Sequence, residues 1–335
     1  VYGFETIISP INDKVLILPE TSQEFSFFVM GHIYGSPSSS SAFPSSTLLA
    51  NIDMINSNNA KFIISMGDNF QKVEEKYIEN FIMSTSSKIE IPLFNAVGNH
   101  DVINRELYES YFGKTNIDFI YGSNLFIILD SEKDNGEIIG EQLNYLNNTL
   151  NYAIKTKKIN NVFIISHKLI WCVNNEELGV VYRNLNSNYG YANNNNFKDT
   201  VLPEIKRVSK TKNIFMLSGD IGIEGSLPLF YHKDTKNNIT YLATGIGDTK
   251  KDAILQITVP KDGAPLTFKT VSLSGEKIEV LEHYDVNYWD NYFGQKNKIM
   301  DKLMNIFKHR YFHFGIIFNL ILVCFFAVVY FLLKR

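Results

Sequence analysis

The sequence predicts an α/β fold, on three observations. Uninterrupted apolar runs of four to six residues recur along the first two thirds of the chain, and stretches of helical spacing separate them. Runs of this kind, without in-out alternation, read as strands buried on both faces. The chain is also long enough, at 335 residues with 45% hydrophobic side chains, to bury a sizeable core without disulfides or other staples.

In order, Phe25–Met30 (FSFFVM) is the first apolar run, and it ends in Gly31-His32-Ile33-Tyr34-Gly35 before a Ser-rich loop. Thr47–Ile55 has helical spacing. Lys61–Met66 (KFIISM) is the next run, closing in Gly67-Asp68-Asn69, and Val73–Met83 reads as a helix. Ile91–Val97 runs into Gly98-Asn99-His100-Asp101. Asn124–Leu129 ends in Asp130-Ser131, and Glu141–Tyr152 puts Leu143, Leu146 and Leu150 on one side of a helix. Val162–Ile165 ends in Ser166-His167, and Ile214–Leu217 in Ser218-Gly219-Asp220. From Thr240 the runs YLATGIG, AILQITV, LTFKTVSL and KIEVLEHY follow one another without helices, which predicts antiparallel strands.

Composition narrows the function. Lys plus Arg is 32 against 35 acids, a net charge of −3, so nothing provides the basic face that a nucleic acid requires. Two cysteines, Cys172 and Cys324, supply neither a disulfide framework nor a thiolate metal site; Cys172 is expected to be a packing residue. Asparagine makes up roughly one residue in nine, which is read as compositional bias rather than chemistry.

Residues 314–333 (FGIIFNLILVCFFAVVYFLL) carry no formal charge, and about 20 helical residues span a hydrocarbon core of about 30 Å. The expectation is a single-pass C-terminal membrane anchor, preceded by a basic juxtamembrane helix over residues 286–313. Lys296, Lys298, Lys302, Lys308 and Arg310 precede the span and Lys334 and Arg335 follow it; a literal positive-inside count therefore favours a cytoplasmic domain. Long domains translocate largely regardless of such charges. The start at Val1, as after removal of a signal peptide, is read as favouring an extracytoplasmic domain. Residues 1–24 are expected to be an N-terminal extension and 25–285 the main domain.

The informative feature is where the polar residues fall. Apolar runs end in Gly, Ser or Asn beside a candidate metal ligand: His32, Asp68, Asn99 with His100, His167, and Asp220. Strand C-termini of an α/β sheet converge on one crevice. Asp, Asn and His together suit Mn, Fe or Zn.

The series resembles the calcineurin-like metallophosphoesterase superfamily, which includes the purple acid phosphatases. Its motifs run D-x-H, G-D, G-N-H-D/E, a lone His after a strand, and G-H-x-H. Tyr111-Phe112-Gly113, Leu129-Asp130-Ser131 and Gly140-Glu141-Gln142-Leu143 followed by Leu146 are similar to its secreted acid-phosphatase branches, and the likeness covers Phe25 to Tyr284. The resemblance implies a β-sandwich flanked by helices (αββα), holding one or two divalent or trivalent ions. It implies that Asp68 bridges the ions, that Asn99 and His167 complete most of one site, and that His100 meets the substrate phosphate or protonates the leaving group, with Asp101 orienting it.

The first and last motifs depart from the pattern. Gly31-His32-Ile33-Tyr34-Gly35 stands where S-D-x-H-G is expected, and Gly219-Asp220-Ile221-Gly222 where G-H-x-H is expected. One reading is a decayed, non-catalytic domain, a membrane-anchored module for a glycan, a lipid headgroup or a partner protein. The other is a reciprocal exchange, in which the aspartate lost at His32 reappears at Asp220. The count of ligand carboxylates is then kept, and the intact G-N-H-D favours this reading. It gives a metal-dependent phosphoesterase acting on a phosphorylated substrate at or near the membrane. The ligands would be Asp68, Asn99, His167 and Asp220, with His32, joined by Tyr34 as a further candidate, at a weaker second position. The stretch from Cys172 to Phe197 reads either as a rim or lid over the crevice or, slightly favoured, as an ordinary polar surface loop. Trp171, Tyr182, Arg183, Tyr189 and Tyr191 are candidate substrate contacts there, Arg183 as a phosphate clamp and Tyr34 as a further substrate contact.

Overall fold

The computed structural model describes residues 6–19, 23–182, 196–221, 229–261 and 263–308, with isolated positions beyond. Contacts divide the chain into two units, Val1–Val286 and Asn287–Arg335. The first unit is a sandwich of two sheets. One has five strands in the order β13 (Thr267–Ser272), β12 (Ala253–Val259), β3 (Phe25–Met30), β4 (Ile63–Ser65) and β5 (Leu93–Asn95). The other has six, in the order β10 (Leu229–Asp234), β11 (Ile239–Thr244), β9 (Asn213–Ser218), β8 (Asn161–Ser166), β7 (Asn124–Ile128) and β6 (Ile117–Tyr121). Strands β3, β4 and β5 run parallel to one another, as do β7, β8, β9 and β11. Their C-terminal ends carry the loops in which the candidate ligands lie.

Continuous apolar runs are explained by coverage on both faces. All six residues of β3 are buried. Phe27 faces the other sheet, while Phe28 and Met30 face a separate cluster containing Leu48, Ile55, Ile78, Phe81 and Phe112 from the flanking helices. On the far side of the six-stranded sheet lie the helices Gly140–Lys155 and Leu202–Ser209, which bury Leu146, Leu150, Ile205 and Val208.

A phenylalanine ladder fills the space between the sheets. Phe119, Phe126, Phe163 and Phe215 pair directly across β6, β7, β8 and β9. Their rings stack at centroid distances of 4.9, 4.7 and 4.9 Å. Phe27 and Phe62 meet the ladder edge-on, at 5.3 and 5.2 Å from Phe126, the geometry that the ring quadrupole favours. Two residues nearer the strand starts runs an amide ladder. Asn161 donates to Asn124 (2.7 Å), Asn213 to Asn161 (2.9 Å) and Asn238 to Asn213 (3.1 Å). At these positions asparagine is structural chemistry, not bias.

Several expectations are corrected. KIEVLEHY forms no strand; apart from one turn of 3-10 helix at Leu281–His283 it is irregular, since β13 already closes the edge of its sheet. β11 is not purely antiparallel, because it pairs parallel with β9 as well as antiparallel with β10. Thr47–Ile55 is two short helices, Ser46–Leu49 and Ile52–Asn56. Residues 6–17 form a hairpin of β1 (Thr6–Ile8) and β2 (Val15–Ile17) that is tied to the main body. Ser9 Oγ donates to the Leu93 carbonyl, and Asn12 Nδ2 to that of Ile91. A further helix spans Val286–Lys308, all but its first residue in the second unit. Most of the expected span 314–333 lies outside the described residues; among those described, no helix is long and apolar enough to cross a membrane.

Truncating the centre of the ladder tests its weight. Phe126→Ala should cost about 3–5 kcal/mol, the range for a buried ring, read as a lower urea midpoint, and Phe126→Leu clearly less. A loss below about 1 kcal/mol for the alanine variant would show that the ladder does not hold the sheets together.

Candidate metal centre

The strand ends meet in one place because their turns approach closely enough to share hydrogen bonds. The His32 amide donates to the Gly67 carbonyl (2.8 Å), and the amides of Gly219 and Asp220 both donate to the His167 carbonyl (3.0 Å). Glycine is required at the contacts. Gly67 has φ +91°, and a Cβ there would run into the His167 ring. A Cβ on Gly219 would strike the Met66 backbone. His32 (φ 57°) and Asp68 (φ 60°) adopt left-handed conformations without being glycine, a strain that clusters at functional sites.

Asp68 is the centre. Its Oδ1 accepts the His100 amide at 3.0 Å. Its Oδ2 lies 3.5 Å from His32 Nε2 and 3.4 Å from His167 Nε2. His167 Nε2 is also 3.9 Å from Asp220 Oδ2. Three histidines are oriented in the same way, each with Nδ1 on a main-chain carbonyl: His32 on Ile246 (3.2 Å), His100 on Gln71 (2.7 Å) and His167 on Met66 (2.7 Å). A carbonyl only accepts, so each Nδ1 carries the proton and each Nε2 is left to face the crevice.

The electrostatics are those of a closely coupled cluster. Burial pushes the Asp68 carboxyl up, but His167, His32 and His100 outweigh it and hold the group below its ordinary range. Burial drives His32 down to about 4 against the pull of Asp68. At His167 burial is overcome by Asp68, Asp220 and Glu132, which lift it to about 9. Burial raises Asp220, with His167 and Lys168 among the groups offsetting it.

Asp101 has a different role from the one expected. Its carboxylate does not touch the His100 ring. It accepts the amides of Asp68 (2.9 Å), Asn69 (2.7 Å) and Gly98 (2.9 Å) and the Asn95 side chain (3.3 Å), clamping two strand-end turns together. Burial and then the Asp68 charge raise it to about 6, against those donors. Tyr34 is buried, and its hydroxyl is 3.4 Å from His100 Nε2. Asn99 is half-buried in the turn between Gly98 and His100. Trp171 is a core residue, stacked on Phe230 at 5.5 Å and donating to Ser218 Oγ at 3.0 Å, so it cannot contact substrate. Cys172 is buried and free. Arg183, Tyr189 and Tyr191 lie outside the described residues.

The donor set fits a borderline metal ion in chemistry. His167 Nε2 is buried without a hydrogen-bond partner among the described residues, an arrangement that costs free energy unless something binds there. Neighbouring donors around a tetrahedral ion are roughly 3.3–3.6 Å apart, given bond lengths of about 2.0–2.2 Å. The pairs His167–Asp68 and His32–Asp68, at 3.4 and 3.5 Å, match that spacing. No three of the described His, Cys, Asp or Glu side chains are yet gathered about a single point.

The fold is one seen in solved phosphatase structures. The chain is similar to a dimetal phosphatase from Danio rerio, with a TM-score of 0.51 and 11% identity over 74% of this chain and 96% of that one. It is also similar to a purple acid phosphatase from yellow lupin (Lupinus luteus) seeds, with a TM-score of 0.52 and 12% identity over 80% of this chain and 56% of that one. At these identities the likeness is one of fold. No family model matches the chain, and no curated protein matches its sequence.

The proton on His167 gives a pH test. A ligating imidazole must release its proton, and in the metal-free chain His167 holds it up to about 9. Metal affinity should therefore rise about tenfold per pH unit between about 6.5 and 8.5, measured by competition with an indicator dye. A flat profile would mean that His167 is not a ligand.

Proposed function

We propose that this chain is a metal-dependent phosphoesterase, tethered to a membrane through its C-terminal apolar segment, with the domain on the extracytoplasmic side. The observation that carries the reading is the unpartnered Nε2 of His167, turned by the Met66 carbonyl towards Asp68 and Asp220. Drift would not be expected to leave the replacement residue Asp220 facing this imidazole nitrogen. Asp68, His167 and Asp220, with His32 and Asn99, would hold one or two ions of Mn, Fe or Zn.

A bound ion supplies Lewis acidity and water acidified towards neutral pH. The chain's own residues do the rest. Asp68 and Asp220 bring two carboxylate charges to a crevice whose turns are fixed by backbone hydrogen bonds. His100 exchanges its proton at Nε2, because Nδ1–H is committed to Gln71, and so is placed to protonate a leaving oxygen. Tyr34 stands beside that nitrogen as the nearest candidate to touch the departing group, and Arg183, outside the described residues, remains a proposed phosphate contact. The substrate is a phosphate ester presented at or near the membrane surface.

A second reading is a non-catalytic binding module. It is favoured by the Tyr34 hydroxyl, which already meets the nitrogen that a substrate would need.

Two measurements separate them. The full chain, purified without chelator, should carry one or two equivalents of Mn, Fe or Zn by elemental analysis, and Asp68→Asn should lose them. His100→Ala should keep its metal and lower turnover of a phenyl phosphate by ~10²–10⁴-fold, the scale of general acid–base assistance. Absence of metal from the wild-type chain even after soaking would sink the phosphoesterase reading; metal loss in His100→Ala would make His100 a ligand.

A further inference from the structure

Beside the crevice lies an ion pair that the ligand set leaves unused. Lys168 follows His167 directly, and its Nζ is 2.8 Å from Glu132 Oε2; the side chains are only 14% and 5% exposed. The backbone of Lys168 is pinned from three strand ends. Its amide donates to Ser131 Oγ (3.0 Å), and its carbonyl accepts from Ser166 Oγ (2.9 Å) and Ser218 Oγ (3.1 Å). Glu132 is held as well, its Oε1 accepting from Ser131 Oγ at 3.3 Å. Desolvating two charges costs as much as their attraction returns, so a well-packed apolar pair would stabilise the fold at least as well. The charges therefore point to a task. They adjoin the site: Lys168 directly follows His167, and Ser218, which binds its carbonyl, lies two residues before Asp220.

We infer that Lys168 is a positioning cation of the crevice that receives an oxygen of a phosphoryl anion, and that Glu132 is the internal carboxylate the phosphoryl group displaces from it. The inference rests on the phosphoesterase reading and names the group that recognises the anionic part of its substrate. A phosphoryl oxygen and a carboxylate oxygen are alternative partners for one ammonium, so Glu132 holds Lys168 in place and also competes with the substrate.

Competition predicts opposite signs for the two halves of the pair. Inorganic phosphate is titrated calorimetrically into the full chain with and without added Mn²⁺, and metal content is measured in parallel. Lys168→Gln should weaken phosphate binding about tenfold, the scale of one charge-assisted contact. Glu132→Gln should tighten it several-fold. The double variant Lys168→Gln/Glu132→Gln, which leaves no buried charge unpaired, should behave like Lys168→Gln, and Mn²⁺ content should be the same throughout. A merely structural pair would instead weaken binding from both sides, or from neither, and either result overturns the inference. Wild-type chain that takes Mn²⁺ but no phosphate also overturns it, while leaving the metal centre standing. If no Mn²⁺ binds, the phosphoesterase reading fails; phosphate binding that still depends on Lys168 would then sustain the inference, and its absence would end it.

Discussion

The crevice is organised around one reciprocal exchange between two buried carboxylates and two turns. Asp101 gathers the amides of Asp68, Asn69 and Gly98, and Asp68 in return accepts the amide of His100. Each turn therefore supplies the donors that fix the other. Buried amides at strand ends have no ladder partner, and leaving them unmade is expensive. One carboxylate with several acceptor sites resolves that problem at a single point, and it brings Asp68 within reach of His32 and His167. Without this lock the left-handed backbone at Asp68 would be held only through the Tyr34 amide on its carbonyl (3.0 Å) and the His32 amide on that of Gly67.

The imidazoles are oriented by a second device, which uses no side chains. Carbonyls of Met66, Ile246 and Gln71 set the three rings. A carbonyl partner survives any substitution at its own position that keeps the backbone in place. The orientation of His167 thus depends on the path of the chain through Met66 and Gly67, and not on a neighbouring carboxylate that could itself mutate.

What the sequence discloses follows from this division. Strand ends and candidate ligands are legible because apolar runs stop abruptly at Gly-Asp, Gly-Asn-His-Asp and Ser-His. The role of Asp101 is not legible, since its partners are amides that no residue type announces. β6 (IDFIY) and β10 (LFYHKD) are interrupted by charged residues, and β1 and β2 are only three residues long, so none of them stands out from a loop. The reverse holds for KIEVLEHY, whose local pattern suits a strand but which has no place in either sheet. The asparagine ladder escapes notice because a residue so abundant seems uninformative until Asn124, Asn161 and Asn213 are seen side by side. Lys168 and Glu132 are visible in the sequence only as charges closing apolar runs, and only packing shows that both are largely enclosed.

The twin ladders also act as a ruler. Asn124, Asn161 and Asn213 stand level, the phenylalanines stand level two residues later, and Asp130, His167 and Gly219 each fall six residues after their asparagine. Length along these strands is counted from the edge of the sheet farthest from the crevice. The side chain at the near end can then be exchanged without shifting the backbone that presents it. A fold gauged in this way tolerates rewriting of its ligands while keeping their coordinates, so a site can change its chemical alphabet by single substitutions where an ungauged strand would also have to slip its register.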